Sequence, residues 1–564
     1  MNENRSIGSL LLLTLTFQIS GIPLINHPKR IAALTAATAL VYQKAKQYQE
    51  FKKDFAYWDW KAIGTDDGEN YNPDFTLHPD DLPEGMYFGA SNAAIQSEGG
   101  IIDSTYNHSR HRAKYPALQG DANQSWLRWQ EDLELIKKLG LNQYKFSIEW
   151  SRIQPTPDTF DMDVLKEYAS RCIQLIKNGV TPFITFHHYS DPAWFMYPDG
   201  ETPVGFETEE NSKKFVEYCC TAFEYIDKEC KKAVKNRSRA EKEQLMPRWI
   251  TMNSPNAYAL NGYFRGERPP QATNMQRALD VYENILNAHG AVYRAIKNSD
   301  TNAQIGISHN IFQLDPFFDE NKFILSAYAS WGIGYLKSWF GNWLSNSAGC
   351  RFFTDKQLTM LIPFVASKNM RPDRLLKALY NRNTVNPDER TIDFICLNYY
   401  SHNGMDSSKD PFPYPNEIKT DLPRYTIYAE GLYRAVKEVS NLVTKPLGDI
   451  PIYIVENGVA GDDNLRALLL NRSLYAVSRL YKEGYNIAGY SHWTLYDNAE
   501  WADGYDIYSF GLADKYRNIK ESGLHYARLI APFTQKKDRL QFTTTNKEQE
   551  KKPKFGRRYT PKLS

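Results

Sequence analysis

The segment 451–458 joins a run of apolar residues to a carboxylate, an amide and a turn residue. It reads PIYIVENG, so Glu456 follows a strand-like pattern and precedes Asn457 and Gly458. A carboxylate at the end of an apolar strand is costly to bury unless it has a partner or a chemical purpose. Glu456 is therefore a candidate functional residue, and a structural ion pair with Lys145 is the alternative.

Other strand-like segments end in the same manner, with hydrogen-bonding or aromatic side chains. Their closing residues read FHHYSDP, WITMNSP, LNYYS and SHWTLYDNAEW. In a barrel of alternating strands and helices the active site lies at the carboxyl ends of the strands. If the chain forms such a barrel, these segments and Glu456 meet at one mouth.

The part of the chain from about Leu82 to Ala531 alternates short β-branched or aromatic runs with longer amphipathic ones, which is typical of repeated βα units. The pattern predicts an α/β protein, a (β/α)₈ TIM barrel. The predicted strands are 86–89, 142–148, 181–187, 248–253, 304–308, 393–398, 452–456 and 487–493. The sequence WLRWQEDLELIKKLG predicts an amphipathic packing helix that ends near Gly140.

Charge and cysteine content exclude several classes of function. The 68 lysines and arginines nearly balance the 66 aspartates and glutamates, so the composition gives no support for nucleic acid or another polyanion as a partner. The six cysteines form no CxxC pair and no cluster with histidine, and we predict neither a metal nor a cofactor. Reduced thiols are favoured over disulfides, which mildly favours a reducing compartment.

The N-terminal segment Ile7–Ile25 is uncharged and nearly as long as a bilayer requires. Basic residues follow it, so a membrane anchor would leave the barrel facing the cytoplasm. The alternative is a cleaved signal peptide and secretion. We expect three regions: an anchor or signal-like segment at 1–48, the barrel domain at 49–534, and a basic, disordered tail at 535–564.

The motif IVENG at 454–458 resembles the strand-seven motif of family 1 glycoside hydrolases, the β-glucosidase-like enzymes. PEGMYFGASNAAIQSEGG resembles the N-terminal signature of the same family, and the motifs follow one another in the family's order. The resemblance implies a retaining glycosidase with Glu456 as its nucleophile. It also implies that Tyr400 is the tyrosine that bonds the nucleophile.

By the same resemblance, a further set of residues binds the sugar, and a β-glycoside or a glycolipid is the expected partner. These residues are Gln96, His188, Asn253, Asn398, Trp493, Glu500 and Trp501. They suit a gluco- or galacto-configured ring. His289 matches a family position that is structural.

Two positions depart from the family pattern. The family's acid/base motif is Asn-Glu-Pro, whereas this chain has Ser254 between Asn253 and Pro255. Serine is too weak an acid to protonate a leaving alkoxide, so a contribution of roughly 10²- to 10⁴-fold in rate is expected to be missing. Lys145 stands where the family usually has arginine, which keeps the charge but loses the planar fork.

Two interpretations remain open. The first is a β-glycosidase or transglycosylase of weak activity, or one limited to substrates with good leaving groups. It resembles the myrosinases, which have glutamine at the acid/base position, and in part the membrane-anchored plant galactolipid galactosyltransferases. The second is a catalytically inactive barrel that binds a glycan or glycolipid at a membrane. Glu98, Glu149 and Glu267 are candidates to replace the acid only if one of them reaches the leaving oxygen.

Overall fold

The computed structural model describes residues 58–534, apart from 65–68, 119, 312, 317–389, 406–411, 414–416 and 502. The predicted anchor within residues 1–48 and the predicted tail at 535–564 lie outside the described residues. Among the helices in the described part, none is long and apolar enough to cross a membrane.

Eight parallel strands close into a barrel, which confirms the predicted fold class. They are β1 (Tyr87–Asn92), β2 (Gln143–Ser147), β3 (Thr181–His187), β4 (Arg248–Asn253), β5 (Gln304–Asn310), β7 (Phe394–Asn398), β10 (Ile452–Asn457) and β11 (Ile487–Trp493). Around the barrel their order is β1-β11-β10-β7-β5-β4-β3-β2. Each strand therefore lies beside its neighbour in the βα repeat, and β1 closes against β11.

The predicted strands all exist, and three of them have the predicted bounds. The first prediction began before the strand: β1 starts at Tyr87 and continues to Asn92. The fifth was too short, because β5 continues to Asn310. In both cases the extension reaches toward the carboxyl end, where polar residues interrupt the apolar pattern on which the prediction depended.

Helices connect the strands. They are α1 (Trp60–Ile63), α2 (Ala94–Ser97), α3 (Trp129–Lys138), α4 (Trp150–Ile153), α5 (Met162–Lys177), α6 (Ala193–Met196), α7 (Glu209–Ala233), α8 (Arg239–Leu245), α9 (Pro255–Ala259), α10 (Met275–Ser299), α11 (Ala429–Val439), α12 (Asp463–Lys482) and α13 (Glu521–Thr534). The predicted amphipathic helix is α3, which buries Leu133 and Ile136. It ends before Gly140, whose φ of +67° suits glycine, so that prediction is confirmed.

A smaller sheet follows the carboxyl ends of β5 and β7. Its strands are β6 (Gln313–Pro316), β8 (His402–Met405) and β9 (Phe412–Pro413), in the order β6-β8-β9. β8 pairs parallel with β6 and antiparallel with β9. Both β6 and β8 lie just after barrel strands in the chain, so this sheet extends the barrel at the mouth.

Four aromatic rings pack against one another inside the barrel, near the amino ends of its strands. Tyr453 contacts Phe183 with ring centroids 5.1 Å apart and Phe394 at 5.3 Å. Tyr87 contacts Phe183 at 5.6 Å. We call these four residues the aromatic layer. It fills the barrel interior, as expected for a fold whose centre is a packed core rather than a pore.

Candidate active site

Glu456 lies in β10, one residue before its end, and its side chain is almost fully buried. Its carboxylate receives two charge-assisted hydrogen bonds from opposite sides. The Lys145 ammonium contacts Oε1 at 2.5 Å, and the Tyr400 hydroxyl donates to Oε2 at 2.7 Å. Burying a carboxylate is tolerable only with such partners. The carboxylate is thereby fixed in one orientation at the barrel mouth.

Lys145 comes from β2 and is completely buried. Besides Glu456, its ammonium donates to Oδ1 of Asn253 at 2.7 Å. The ion pair proposed as the structural alternative for Glu456 therefore exists, but it lies within the set of candidate site residues. The pair is compatible with a structural role and with a functional one.

Asn253 and Asn398 end strands β4 and β7 and connect the centre of the site. The amide nitrogen of Asn398 donates to Oδ1 of Asn253 at 3.2 Å, and Oδ1 of Asn398 accepts from Ser308 at 2.9 Å. Nδ2 of Asn253 lies 3.1 Å from Nε2 of His188. The predicted residues thus form one hydrogen-bonded network.

Ser254 is the N-cap residue directly before α9 and is fully buried. It has φ +47° and ψ +65°, a left-handed conformation that is uncommon for serine, and Pro255 follows as the first helical residue. Its hydroxyl accepts a hydrogen bond from the Asn398 amide at 2.9 Å; burial raises the pKa of the neighbouring Tyr189 phenol, and Ser254 acts in the opposite direction. The serine is therefore part of the network around Glu456.

A second group of predicted residues lines the wall of the site. Gln96, in α2, donates to the carbonyl of Ala499 at 2.6 Å, next to Glu500. The His188 ring lies 5.8 Å from the Trp493 ring and 6.4 Å from the Trp501 ring. The structure thus brings the predicted residues together at the carboxyl ends of the strands.

Several buried polar atoms in this wall have no hydrogen-bond partner among the described residues. They are Oε1 of Gln96, Nδ1 of His188 and Oε1 of Glu500. Buried polar atoms are rarely left unpaired, and each such case requires an explanation. Carbonyl, carboxyl and imidazole groups of this kind suit a ligand rich in hydroxyls.

The electrostatic surroundings shift two of these groups. Burial raises the pKa of Glu500 to about 8, although Arg424 and Arg268 act in the opposite direction. Burial, and next the charge of Lys145, lower the pKa of His188 well below its usual range. Near neutral pH, Glu500 is largely protonated and can donate a hydrogen bond, while His188 is neutral.

The three glutamates considered as substitutes for the acid have partners elsewhere. Glu98 accepts from Tyr168 at 2.9 Å and pairs with Arg171 at 3.5 Å. Glu149 accepts from Ser151 at 2.7 Å and from Ser190 at 2.9 Å. Glu267 is half-exposed and pairs with Arg265 at 2.6 Å. These contacts favour structural roles for all three.

Sequence reasoning missed three residues of this region: Tyr189, Arg268 and Arg424. Tyr189 directly follows His188 and has a positive φ of 64°. Arg268 lies between α9 and α10, and Arg424 lies between β9 and α11, so neither closes a strand. The run FRGERPP was the one available signal, since it puts two arginines just after the segment that contains Ser254.

A (β/α)₈ barrel with a buried, hydrogen-bonded carboxylate and unpaired polar groups at its mouth defines the class of barrel enzymes and their non-catalytic relatives. Within that class the chain belongs to glycosyl hydrolase family 1, whose model matches residues 78–534.

Curated relatives and solved structures agree with this family. The chain is 26% identical to β-glucosidase A of Thermotoga maritima over 479 residues, which cover 80% of this chain and 97% of the relative. It is 27% identical to β-glucosidase A of Acetivibrio thermocellus over 489 residues, covering 80% and 98%. The structure of a β-glycosidase from Pyrococcus horikoshii superposes with a TM-score of 0.60 at 25% identity, covering 81% of this chain and 96% of that one.

Proposed function

We propose that the protein is a retaining β-glycosidase-like enzyme that forms a covalent glycosyl intermediate on Glu456 and has no general acid at Ser254. The observation that carries the proposal is the orientation of Glu456 by Lys145 and Tyr400. A retaining glycosidase needs a carboxylate fixed for attack on the anomeric carbon. The family membership supports the same assignment.

The sugar would lie against the wall formed by Gln96, His188, Glu500 and the two tryptophans, Trp493 and Trp501. The unpaired atoms of the first three offer both acceptors and donors to ring hydroxyls. Tryptophan faces pack well against the apolar face of a sugar ring. A β-glucoside or a β-galactoside is the expected ligand, and a glycolipid is compatible with the same wall.

Ser254 limits which substrates the site can cleave. Family 1 enzymes require one carboxyl group to protonate the departing oxygen and then to activate water. The Ser254 hydroxyl accepts a hydrogen bond from Asn398 and is not acidic enough to replace that group. Substrates whose leaving group departs without a proton are therefore the ones that the site favours.

The test is labelling with 2-fluoro glycosides that carry a dinitrophenyl leaving group. Such a leaving group needs no acid, so an intact nucleophile should form a stable adduct, which mass spectrometry would map to Glu456. Incubation with the gluco and galacto forms would identify the accepted sugar. E456Q should abolish the adduct, whereas E149Q, which removes another buried carboxylate, should keep it.

The second candidate function is glycan or glycolipid binding without catalysis. It is favoured by the complete burial of Ser254 and by its integration into the Asn398 network, because a position freed from catalysis can adopt a structural role. A folded protein that binds a sugar but gives no adduct with either probe would establish this second function and refute the first.

Cellular location stays a prediction from the sequence. We infer a membrane anchor within residues 7–25 that leaves the barrel facing the cytoplasm, with secretion after signal cleavage as the alternative. Carbonate extraction of membranes, combined with N-terminal sequencing of the mature protein, would separate the two. A mature protein that begins after residue 25 would contradict the anchor.

A further inference from the structure

Arg268 is a cation at the mouth that the proposed mechanism does not use. Its guanidinium carbon lies 4.0 Å from the centre of the Trp501 ring and 4.5 Å from the centre of the Tyr189 ring. Cation–π contacts of this kind are attractive, and more so where water is excluded. The two rings therefore hold the guanidinium in a defined place.

The position of Arg268 is close to that of the missing acid. The Tyr189 phenol, on whose ring Arg268 stacks, neighbours Ser254: burial raises its pKa, while Arg268 and Ser254 both act in the opposite direction. One aromatic ring thus separates the guanidinium from the serine. On the other side, Trp501 places the guanidinium beside the wall that would bind the sugar.

Stacking on the two rings does not provide a hydrogen-bond acceptor for every N–H group of the Arg268 guanidinium. One terminal nitrogen, Nη1, is buried and has no hydrogen-bond partner among the described residues. The positive charge of Arg268 also affects His188: burial, the charge of Lys145 and the charge of Arg268 together lower the pKa of His188. A cationic fork with a buried, unpaired N–H suits a planar or tetrahedral oxyanion.

We propose that the site cleaves β-glycosyl esters whose leaving group departs as a carboxylate or phosphate oxyanion, and that Arg268 binds that oxyanion. Charge stabilisation by Arg268 thus takes the place of proton donation by the missing acid. This inference rests on the proposed function, because it needs the nucleophile Glu456. It assigns the substrate class that the serine permits. The shared chemistry is a leaving group with at least two anionic oxygens for the guanidinium fork, whereas dinitrophenolate, which dinitrophenyl glycosides release, presents one oxygen and spreads its charge over the ring.

The step balances without an acid. An oxygen of the Glu456 carboxylate attacks the anomeric carbon and forms the glycosyl ester bond. The bond from that carbon to the leaving oxygen breaks, and its electron pair stays on the oxygen. A carboxylate leaves as a stable anion at neutral pH because carboxylic acids have pKa values of about 4. A phosphate leaves as HPO₄²⁻ from the monoanionic ester, which carries its own proton, because PO₄³⁻ is too basic to depart from the dianion. One negative charge leaves Glu456 and one appears beside Arg268, which stabilises it as it develops.

The second step is expected to be slow. Water must attack the glycosyl ester, regenerate the Glu456 carboxylate and release a proton to solvent. No general base takes that proton at Ser254, so the intermediate should accumulate. The signature is a burst of leaving group, stoichiometric with the protein, followed by slow turnover.

The experiment compares esters with an activated aryl glycoside on the full-length protein. The probes are 1-O-benzoyl-β-D-glucose, β-D-glucose 1-phosphate and dinitrophenyl β-D-glucoside, or their galactosides if that sugar labels Glu456. R268Q should slow the burst from the responsive ester by about 10²-fold or more, while cleavage of the dinitrophenyl glucoside falls less than about tenfold. R268K should recover part of the rate because it keeps the charge and loses the fork.

R265Q is the matched control, since Arg265 lies on the same connection but is half-exposed and paired with Glu267. It should leave all three rates unchanged. A burst that depends on Arg268 with only the benzoyl ester, or with only the 1-phosphate, supports the inference and identifies which ester the site accepts. No burst from either ester overturns it, as does an equal loss on the aryl glucoside and the ester in R268Q.

Failure of this inference is distinguishable from failure of the proposed function. If the 2-fluoro probe labels Glu456 in wild type and in R268Q, the nucleophile works and the variant is folded. Ester rates that do not depend on Arg268 would then refute only the role of Arg268. Cleavage of a dinitrophenyl glucuronide that depends on Arg268 would also refute it, by assigning the anion to the sugar.

Discussion

The amide nitrogen of Asn398 donates a hydrogen bond to the hydroxyl oxygen of Ser254 at 2.9 Å. This contact links the end of β7 to the start of α9, at the position that the family resemblance assigns to the general acid. Because Asn398 also bonds to Asn253, the serine is connected through one amide to the partner of Lys145. Changes at Ser254 will therefore affect both chemistry and packing.

Restoring a carboxyl group at this position should restore acid catalysis. In S254E we expect turnover of a glycoside with a poor leaving group, such as an alkyl glucoside, to rise by about 10²- to 10⁴-fold. Steady-state kinetics would measure this. S254Q has the same size without the acid and should show no gain. An S254E protein that is folded and labels at Glu456, yet gains nothing, would contradict the assignment of this position.

The buried pair of Lys145 and Glu456 should behave as one energetic unit. Removing one partner leaves an uncompensated buried charge, so K145M and E456L should each lower the free energy of unfolding by about 3–5 kcal/mol. The double variant should lose much less than the sum. Urea unfolding of wild type, the two single variants and the double variant gives the coupling free energy between Lys145 and Glu456. K213M, in the exposed pair with Glu210, should leave the free energy of unfolding close to that of wild type.

Glu500 should make stability depend on pH. Its pKa is raised from 4.5 to about 8 in the folded state, mainly by burial. The folded protein therefore holds the proton more tightly than the unfolded chain, and this contribution to stability is lost as pH rises through about 8. E500Q should match wild type near pH 5 and exceed it by at least about 1 kcal/mol at pH 9. Urea unfolding midpoints of wild type and E500Q at the two pH values test this. The same difference between the two proteins at both pH values would refute it.

Gln96 should matter for ligand binding more than for folding. Its Oε1 has no partner among the described residues, so Q96L loses one hydrogen bond to the chain, that to Ala499. We expect sugar affinity to fall by about 1–3 kcal/mol. The concentration dependence of 2-fluoro glycoside inactivation would measure this, with the limiting rate less affected. Q130L, at an exposed glutamine, is the control. Equal affinities of Q96L and wild type would exclude Gln96 from the sugar wall.

The barrel and most of the residues that meet at its mouth could be predicted from the sequence. Apolar runs of strand length alternate with amphipathic helices, and parallel strands bring their closing residues to one end. That rule places Asn253, Asn398 and Glu456 together, because each ends or nearly ends a strand. The Tyr400 contact with Glu456 followed from the family resemblance, and the structure contains it.

The remainder depends on geometry that strand patterns do not encode. Arg268 reaches the mouth from a connection between helices, and its place is set by the rings of Tyr189 and Trp501. The raised pKa of Glu500 depends on how completely the surrounding side chains exclude water. Neither property follows from the spacing of residues along the chain.

The aromatic layer of Tyr87, Phe183, Phe394 and Tyr453 restricts the route by which molecules reach and leave Glu456. These rings fill the barrel beneath Glu456 and leave the axis closed on that side. Any molecule that reaches Glu456 must come and go through the same end of the barrel. A leaving group and the water or acceptor that replaces it therefore use one entrance in succession, and release of the first must precede arrival of the second.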